Sequence, residues 1–191
     1  MPFALVQTVA PTDRPLTLDR AKSHLRVSWN DDDAYIADLL DGAIVAAQRE
    51  CGLQFIDATY RLILDGFPSD DEIRLPIGPV DSVSSITYTD TNGAQQTVDS
   101  ADYYVGAHTG RIWSAAGWPV ADVNRPECVV VEFVVGFGNV ASSVPKDAVS
   151  AILLILADRF QNRGDEGGPN DRPIPPAALR LLNNLRNGEQ W

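Results

Sequence analysis

Seven consecutive apolar residues, Ala151-Ile152-Leu153-Leu154-Ile155-Leu156-Ala157, lie inside a stretch from Ser143 to Arg163 that carries helix signals at both ends. Pro145 suits a first helical position, where its missing N–H is no loss; Ser142 or Ser143 stands just before it as a cap, and Gly164 stops the run. Seven apolar positions in a row cover every direction around a helix axis, so the middle of this helix is expected to be enclosed by the rest of the chain. At 1.5 Å per residue, about 18 residues make a rod of about 27 Å, close to the width of a compact chain with a radius of gyration of about 16 Å. The other helices must pack along it.

A chain of 191 residues accommodates one domain carrying an inserted module, whereas two full domains would be tight. Its opening residues, Met1-Pro2-Phe3-Ala4-Leu5-Val6-Gln7, lack a basic start, and no apolar run approaches the roughly 18 residues of a membrane span, so neither export by a cleaved signal nor membrane insertion is expected. Cys51 and Cys128 are far apart in sequence and are expected to be free, buried thiols in a reducing compartment, although one bridge between them is conceivable. The net charge of -11 argues against broad affinity for a phosphate backbone, which depends on Lys and Arg displacing counterions. Any docking surface must therefore be locally apolar or basic.

Taken in order, residues 1–15 hold Pro2, Pro11 and Pro15 with no helical period and read as an extended arm. Thr17 caps a short helix with Leu18, Ala21 and Leu25 on its buried stripe and Asp19, Arg20, Lys22 and Arg26 toward solvent; Trp29 is expected to cover the joint that follows. Asn30-Asp31-Asp32-Asp33 supplies the cap and acidic first turn of a second helix, apolar at Ile36, Leu39, Leu40, Ala43, Ile44, Ala47 and Cys51 and ended by Gly52. From Phe55 the period becomes alternating, with candidate strands Thr59–Leu64, Ile73–Leu75, Val83–Thr89, Gln95–Val98, Tyr103–Val105, Arg111–Trp113 and Glu127–Val135. Asp90-Thr91-Asn92-Gly93 marks a hairpin tip. Short strands and many prolines suit a small sheet packed on the helices more than a closed barrel. A breaker-rich loop follows the central helix, and Pro175 and Pro176 open a last helix with Leu179, Leu182 and Leu185 at threes before a tail ending in Trp191.

The expected fold is therefore α+β. A helical core (16–54 and 139–163) has two N-terminal helices and the long central helix, and carries an inserted antiparallel β module (55–138). Around these lie the arm 1–15, the loop 164–173, and the C-terminal helix and tail 174–191.

Several motifs invite chemistry. Gly136-Phe137-Gly138-Asn139-Val140-Ala141 matches G-x-G-x-x-A after a strand and before a helix, but no second parallel strand follows to complete a βαβ unit, so a strand-to-helix turn is the better reading. The aspartates at 31–33 lack the D-x-[DN]-x-[DN]-G calcium loop, and these residues with Asp70-Asp71-Glu72 read as caps and solvated turns rather than an acid–base pair. His24 and His108 give no zinc spacing with the cysteines, and no G-x-S-x-G elbow is present. Arg163-Gly164-Asp165 reads as a helix end rather than an adhesion tripeptide. The expectation is no catalytic residue, no metal and no cofactor.

The order of landmarks carries more. Pro15-Leu16-Thr17-Leu18 with Ala21-Lys22 and Leu25-Arg26 precedes Asp32-Asp33, which opens a helix ending at Glu50-Cys51-Gly52. Leu64-Asp65-Gly66-Phe67-Pro68, Leu75-Pro76, Ser82 to Tyr88 with Asp90 and Gly93, Asp102-Tyr103, Trp118-Pro119, Phe133 to Gly138, Val144-Pro145 and Asn162-Arg163 follow. From about Pro15 to Leu185 this resembles the tailed-phage head-tail connector family, the adaptor or head-completion proteins of phages, prophages and gene transfer agents.

The resemblance implies a structural virion protein, made in the bacterial cytoplasm. It would assemble as a ring of about twelve copies under the portal protein and join the DNA-filled head to the tail. Portal, stopper or tail-terminator proteins and further copies of itself would be its partners, with DNA passing through without specific binding. Another virion ring protein, such as a terminator or stopper, is the alternative reading, and a small nucleotide-binding enzyme the distant one. A ring requires a heterologous interface, and acidic side chains along a lumen would let DNA slide. Leu179, Leu182, Leu185 and Trp191 are the candidates for docking to the portal as an apolar helix in a groove, with packing into the protein's own core as the competing role.

Overall fold

A computed structural model describes residues 3–107, 109–162 and 173–188. The chain separates into two compact units, one of strands (Met1–Pro11 and Asp57–Gly136) and one of helices (Thr12–Ile56 and Phe137–Gly188).

The helical unit is built from α1 (Leu18–Leu25), α2 (Asp33–Cys51), α3 (Lys146–Gln161) and α4 (Pro176–Gly188). Thr17 starts α1 by accepting a hydrogen bond from the Arg20 N–H, which satisfies one of the donors a helix leaves free at its first turn. Gly52, at φ 72°, ends α2 in the left-handed conformation that costs glycine least. α3 packs against α1, α2 and α4, so the apolar rod does organise the unit. Its enclosure is incomplete, however: Ala148, Val149, Ala151, Ile152, Ile155 and Leu156 are buried while Leu153, Leu154 and Ala157 are only half-buried. The three neighbouring helices bury one part of the apolar run and leave Leu153, Leu154 and Ala157 partly accessible.

Both ends of α3 differ from the expectation. Pro145 occupies the N-cap rather than the first helical position, and Ser142 and Ser143 lie in a 3-10 turn (Ala141–Ser143) instead of capping. The helix ends at Asn162, whose side chain donates to the Asp158 carbonyl, ahead of Gly164, which lies outside the described residues. Lys22 is also not on a solvent face: its stem is buried and its ammonium donates to Asn30 and Asp33, tying α1 to the acidic start of α2. The Asn30 side chain is thereby used as an acceptor rather than as a cap, and Asp32 takes the N-cap position. Trp29 does not cover the joint; it stays 51% exposed and donates its indole N–H to Asp32.

The strand unit holds two open antiparallel sheets. One has the order β1 (Phe3–Val9), β2 (Ala58–Leu64), β8 (Val129–Val135), β4 (Val80–Thr89), β5 (Gln95–Thr97); the other is β3 (Glu72–Arg74), β7 (Arg111–Ser114), β6 (Tyr103–Gly106). The seven candidate strands are present with ends shifted by up to three residues, and the arm adds an eighth by pairing with β2 in the register Phe3–Leu64 to Gln7–Tyr60. Strict alternation along β8 buries Val129, Val131, Phe133 and Val135 in a core shared with Leu62, Ile73, Ile86 and Ile112. Phe67 stacks on Trp118 at 5.0 Å and meets Tyr88 edge-on at 5.7 Å, closing one end of that core. The β4–β5 hairpin turns at Asp90–Gly93, where the Asp90 carboxylate accepts from the Asn92 and Ala94 N–H groups and Gly93 takes φ 82°.

Candidate interaction surfaces

The glycine motif at 136–141 is explained by close approach of the chain to itself. A Cβ on Gly136 would stand 2.6 Å from the Asp57 Cα and backbone N, and one on Gly138 would stand 2.6 Å from the Ser143 hydroxyl. These glycines sit where the chain leaves the strand unit for the helices, and their φ values of 151° and 133° suit no other residue. Local packing requires glycine at both positions.

The other groups with chemical potential are occupied. Cys51 and Cys128 are free and buried, in different units, and their thiols donate to the carbonyls of Ala47 and Asp65. Burial pushes the Cys51 thiol up to about 11 and also raises that of Cys128, so neither offers a ready thiolate. Glu72 lies between Arg74, at 2.7 Å, and Arg111, at 3.4 Å, and Arg61 bridges Glu132 across β2 and β8 at 2.6 Å. Among the described residues no three His, Cys, Asp or Glu side chains converge, and no helix is long and apolar enough to cross a membrane. His24 is exposed on α1; His108 and the Arg163-Gly164-Asp165 tripeptide lie outside the described residues.

What the protein presents is surface. On α4 the docking candidates divide: Leu182 is 0% exposed, packed with Ala178 into the helical unit, while Leu179 and Leu185 are half-buried. Trp191 lies outside the described residues. Pro176–Gly188 contains Arg180 and Arg186, both exposed, and no Asp or Glu, which makes it a basic segment on an acidic protein. Sequence reasoning weighed its leucines and passed over its charge.

A second group of exposed apolar side chains lies in the strand unit: Val6 and Val9 on β1, Tyr104 and Val105 on β6, and Val120 and Val123 in the loop before β8. These were not identified from sequence, because an exposed valine in a strand has the same local pattern as a buried one.

The phage gp6-like head-tail connector protein family matches residues 15–109, which span α1, α2 and β2 to β6, and the chain belongs to that family. The fold is shared with chains in three solved structures. The virion of a native gene transfer agent particle contains one at 24% identity, covering 94% of this chain and 93% of that one with a TM-score of 0.76. The neck of an empty gene transfer agent particle, computed with C6 symmetry, gives 24% identity over 95% and 94% with a TM-score of 0.78. The neck of a native particle, computed with C12 symmetry, gives 23% identity over 95% and 93% with a TM-score of 0.75. No curated protein matches the chain.

Proposed function

We propose that this connector is the adaptor of a phage or gene-transfer-agent neck, a ring of copies seated under the portal that joins the DNA-filled head to the tail and makes or breaks no bond. The observation that carries the reading is the coincidence of the family match over residues 15–109 with a fold shared, along 95% of the chain, with chains in two structures of gene transfer agent necks. Those necks were computed with C6 and C12 symmetry, which supports cyclic assembly, with a dodecamer as its form here. A cyclic ring needs a heterologous interface, in which one face of each copy meets a different face of the next.

Within that ring the C-terminal helix α4 docks to the portal. Leu182 anchors it to its own unit; Leu179 and Leu185 contribute apolar contact, Trp191 extends it, and Arg180 and Arg186 meet an acidic rim on the partner. The excess of Asp and Glu lines the lumen and keeps DNA from adhering. A stopper or tail-terminator protein takes the opposite end of the ring. Deleting the gene from its phage or gene transfer agent is the test: filled heads and free tails that fail to join are expected. Properly tailed, infectious or DNA-delivering particles without this polypeptide would refute the function.

A further inference from the structure

We propose that the outer edge of β1 is where a second copy of this chain adds a strand, and that the strand it takes is the free edge of β6 on that copy. This rests on the ring reading above and names the surfaces through which the ring closes.

The two sheets end in four edges among the described residues: β1 and β5 on one, β3 and β6 on the other. An edge is a row of unpaired N–H and C=O groups, and proteins guard such rows with charge, proline or shortness. β3 is guarded, being three residues long with Glu72 and Arg74 ion-paired on it. β5 is three exposed polar residues, Gln95-Gln96-Thr97. β1 and β6 carry no charge and no proline, although β6, at four residues, is only one longer than β3. Phe3–Val9 is seven residues with no charge and no proline, and Val6 is 46% exposed; the bulge between Gln7 and Val9 bends only its end. Tyr103-Tyr104-Val105-Gly106 is likewise uncharged, with Tyr104 65% exposed.

The ring reading makes the occupant a second copy, and charge restricts where two copies can meet. Two copies each carrying -11 repel over most of their surfaces, and an approach is least opposed where both present neutral backbone and apolar side chains. Symmetry selects the pairing. β1 against β1 would be isologous and would stop at a dimer, whereas β1 against β6 joins unlike edges and continues from copy to copy until the rotation closes. Strand addition supplies main-chain hydrogen bonds, with Val6 and Tyr104 as side-chain contacts.

The test uses Val6→Cys combined with Tyr104→Cys in particles from the strain that encodes the chain, treated with a short bismaleimide; Cys51 and Cys128 are buried and stay silent. A ladder of multimers is expected from the double variant and none from either single variant. Copies per particle, counted by quantitative mass spectrometry, separate the two levels of failure. Several copies without a ladder overturn the edge pairing and leave the ring, whereas a single copy overturns the ring and the pairing with it. A crosslink to another virion protein, or a dimer from Val6→Cys alone, also overturns the pairing. Val6→Lys gives an independent reading: the exposed site keeps β1 on β2, so thermal unfolding is unchanged, while incorporation falls on the order of tenfold. Unchanged incorporation of that variant refutes the proposal.

Discussion

Leu182 separates the two roles offered to α4, because a side chain that fills its own protein's core cannot also enter a partner's groove. It is fully buried, packed with Ala178 on a helix that contacts both α2 and α3. Leu182→Ala removes three carbon atoms from this enclosed position, and such truncations cost about 2–5 kcal/mol, the spread reflecting how far the site collapses around the cavity. At about 1.4 kcal/mol per factor of ten, amides of α2, α3 and α4 that exchange by opening of the helical unit should exchange about 30- to 4,000-fold faster. Hydrogen exchange read peptide by peptide is the suitable assay, since it resolves the amides of the helical unit from those of the strand unit. Arg180→Glu is the control. Its side chain is exposed, so stability should change by no more than about 0.5 kcal/mol, about a twofold change in exchange. If Leu182→Ala accelerated exchange no more than that control, the leucine would not be holding the helix to its unit, and its assignment to the core would be refuted.

Gly136→Ala and Gly93→Ala should differ although both glycines have positive φ. At Gly93 the added methyl meets open space and costs about 1–2 kcal/mol for the left-handed backbone, whereas at Gly136 it meets the Asp57 backbone at 2.6 Å and adds about 1–3 kcal/mol of overpacking; denaturant midpoints of the two variants would show equal losses if the close approach did not matter. With the Cys51 thiol pushed up to about 11 and that of Cys128 raised by burial, neither should react with Ellman's reagent at pH 8 in the native protein, and both should react at once in denaturant; fast native labelling would contradict their burial. The Asp90 carboxyl is held below the ordinary aspartate range, chiefly by the Ala94 N–H and then by the Gln96 amide. Its contribution to the hairpin is therefore present at neutral pH and lost as pH falls through that depressed value, so NMR titration should place it below the ordinary range, and an ordinary midpoint would mean the turn bonds are not made.

Where a feature was set by neighbours in sequence, it was legible. Thr17 before α1, Gly52 after α2, Asp90 to Gly93 between β4 and β5 and the alternation from Val129 to Val135 each state their structure within a few residues. Features decided by distant partners were not. Phe3–Val9 became a strand through pairing with β2, more than fifty residues away, and Lys22 was drawn inward by Asn30 and Asp33 on the next element. The rod Ala151–Ala157 announced a helix correctly, but how much of it is covered depended on how many helices came to lie along it. Interaction surfaces are the extreme case. A residue can serve as one only if it remains uncovered, so Val6, Tyr104 and Arg180 become candidates only when the rest of the fold shows what fails to bury them.

The acidic balance proposed to keep DNA from adhering also constrains the protein's own contacts, and it does so differently at the two proposed surfaces. At β1 and β6 the contact is uncharged and the long-range term is repulsion between bodies of like charge. At α4 the contact itself carries Arg180 and Arg186, and the term at the contact is attraction to an acidic rim on the partner, which salt also screens because both arginines are exposed. Salt removes long-range terms first: the screening length falls from about 30 Å at 0.01 M to about 10 Å at 0.1 M and about 3 Å at 1 M. Raising salt from about 0.05 to 0.5 M should therefore strengthen association between copies while weakening binding of the chain to its portal, measured by sedimentation in the first case and by titration calorimetry in the second. Weakening of both would mean that charge pairs, rather than strand edges, join the copies. Strengthening of both would mean that the arginines of α4 do not face the partner, and Arg180→Glu with Arg186→Glu would then leave portal affinity unchanged.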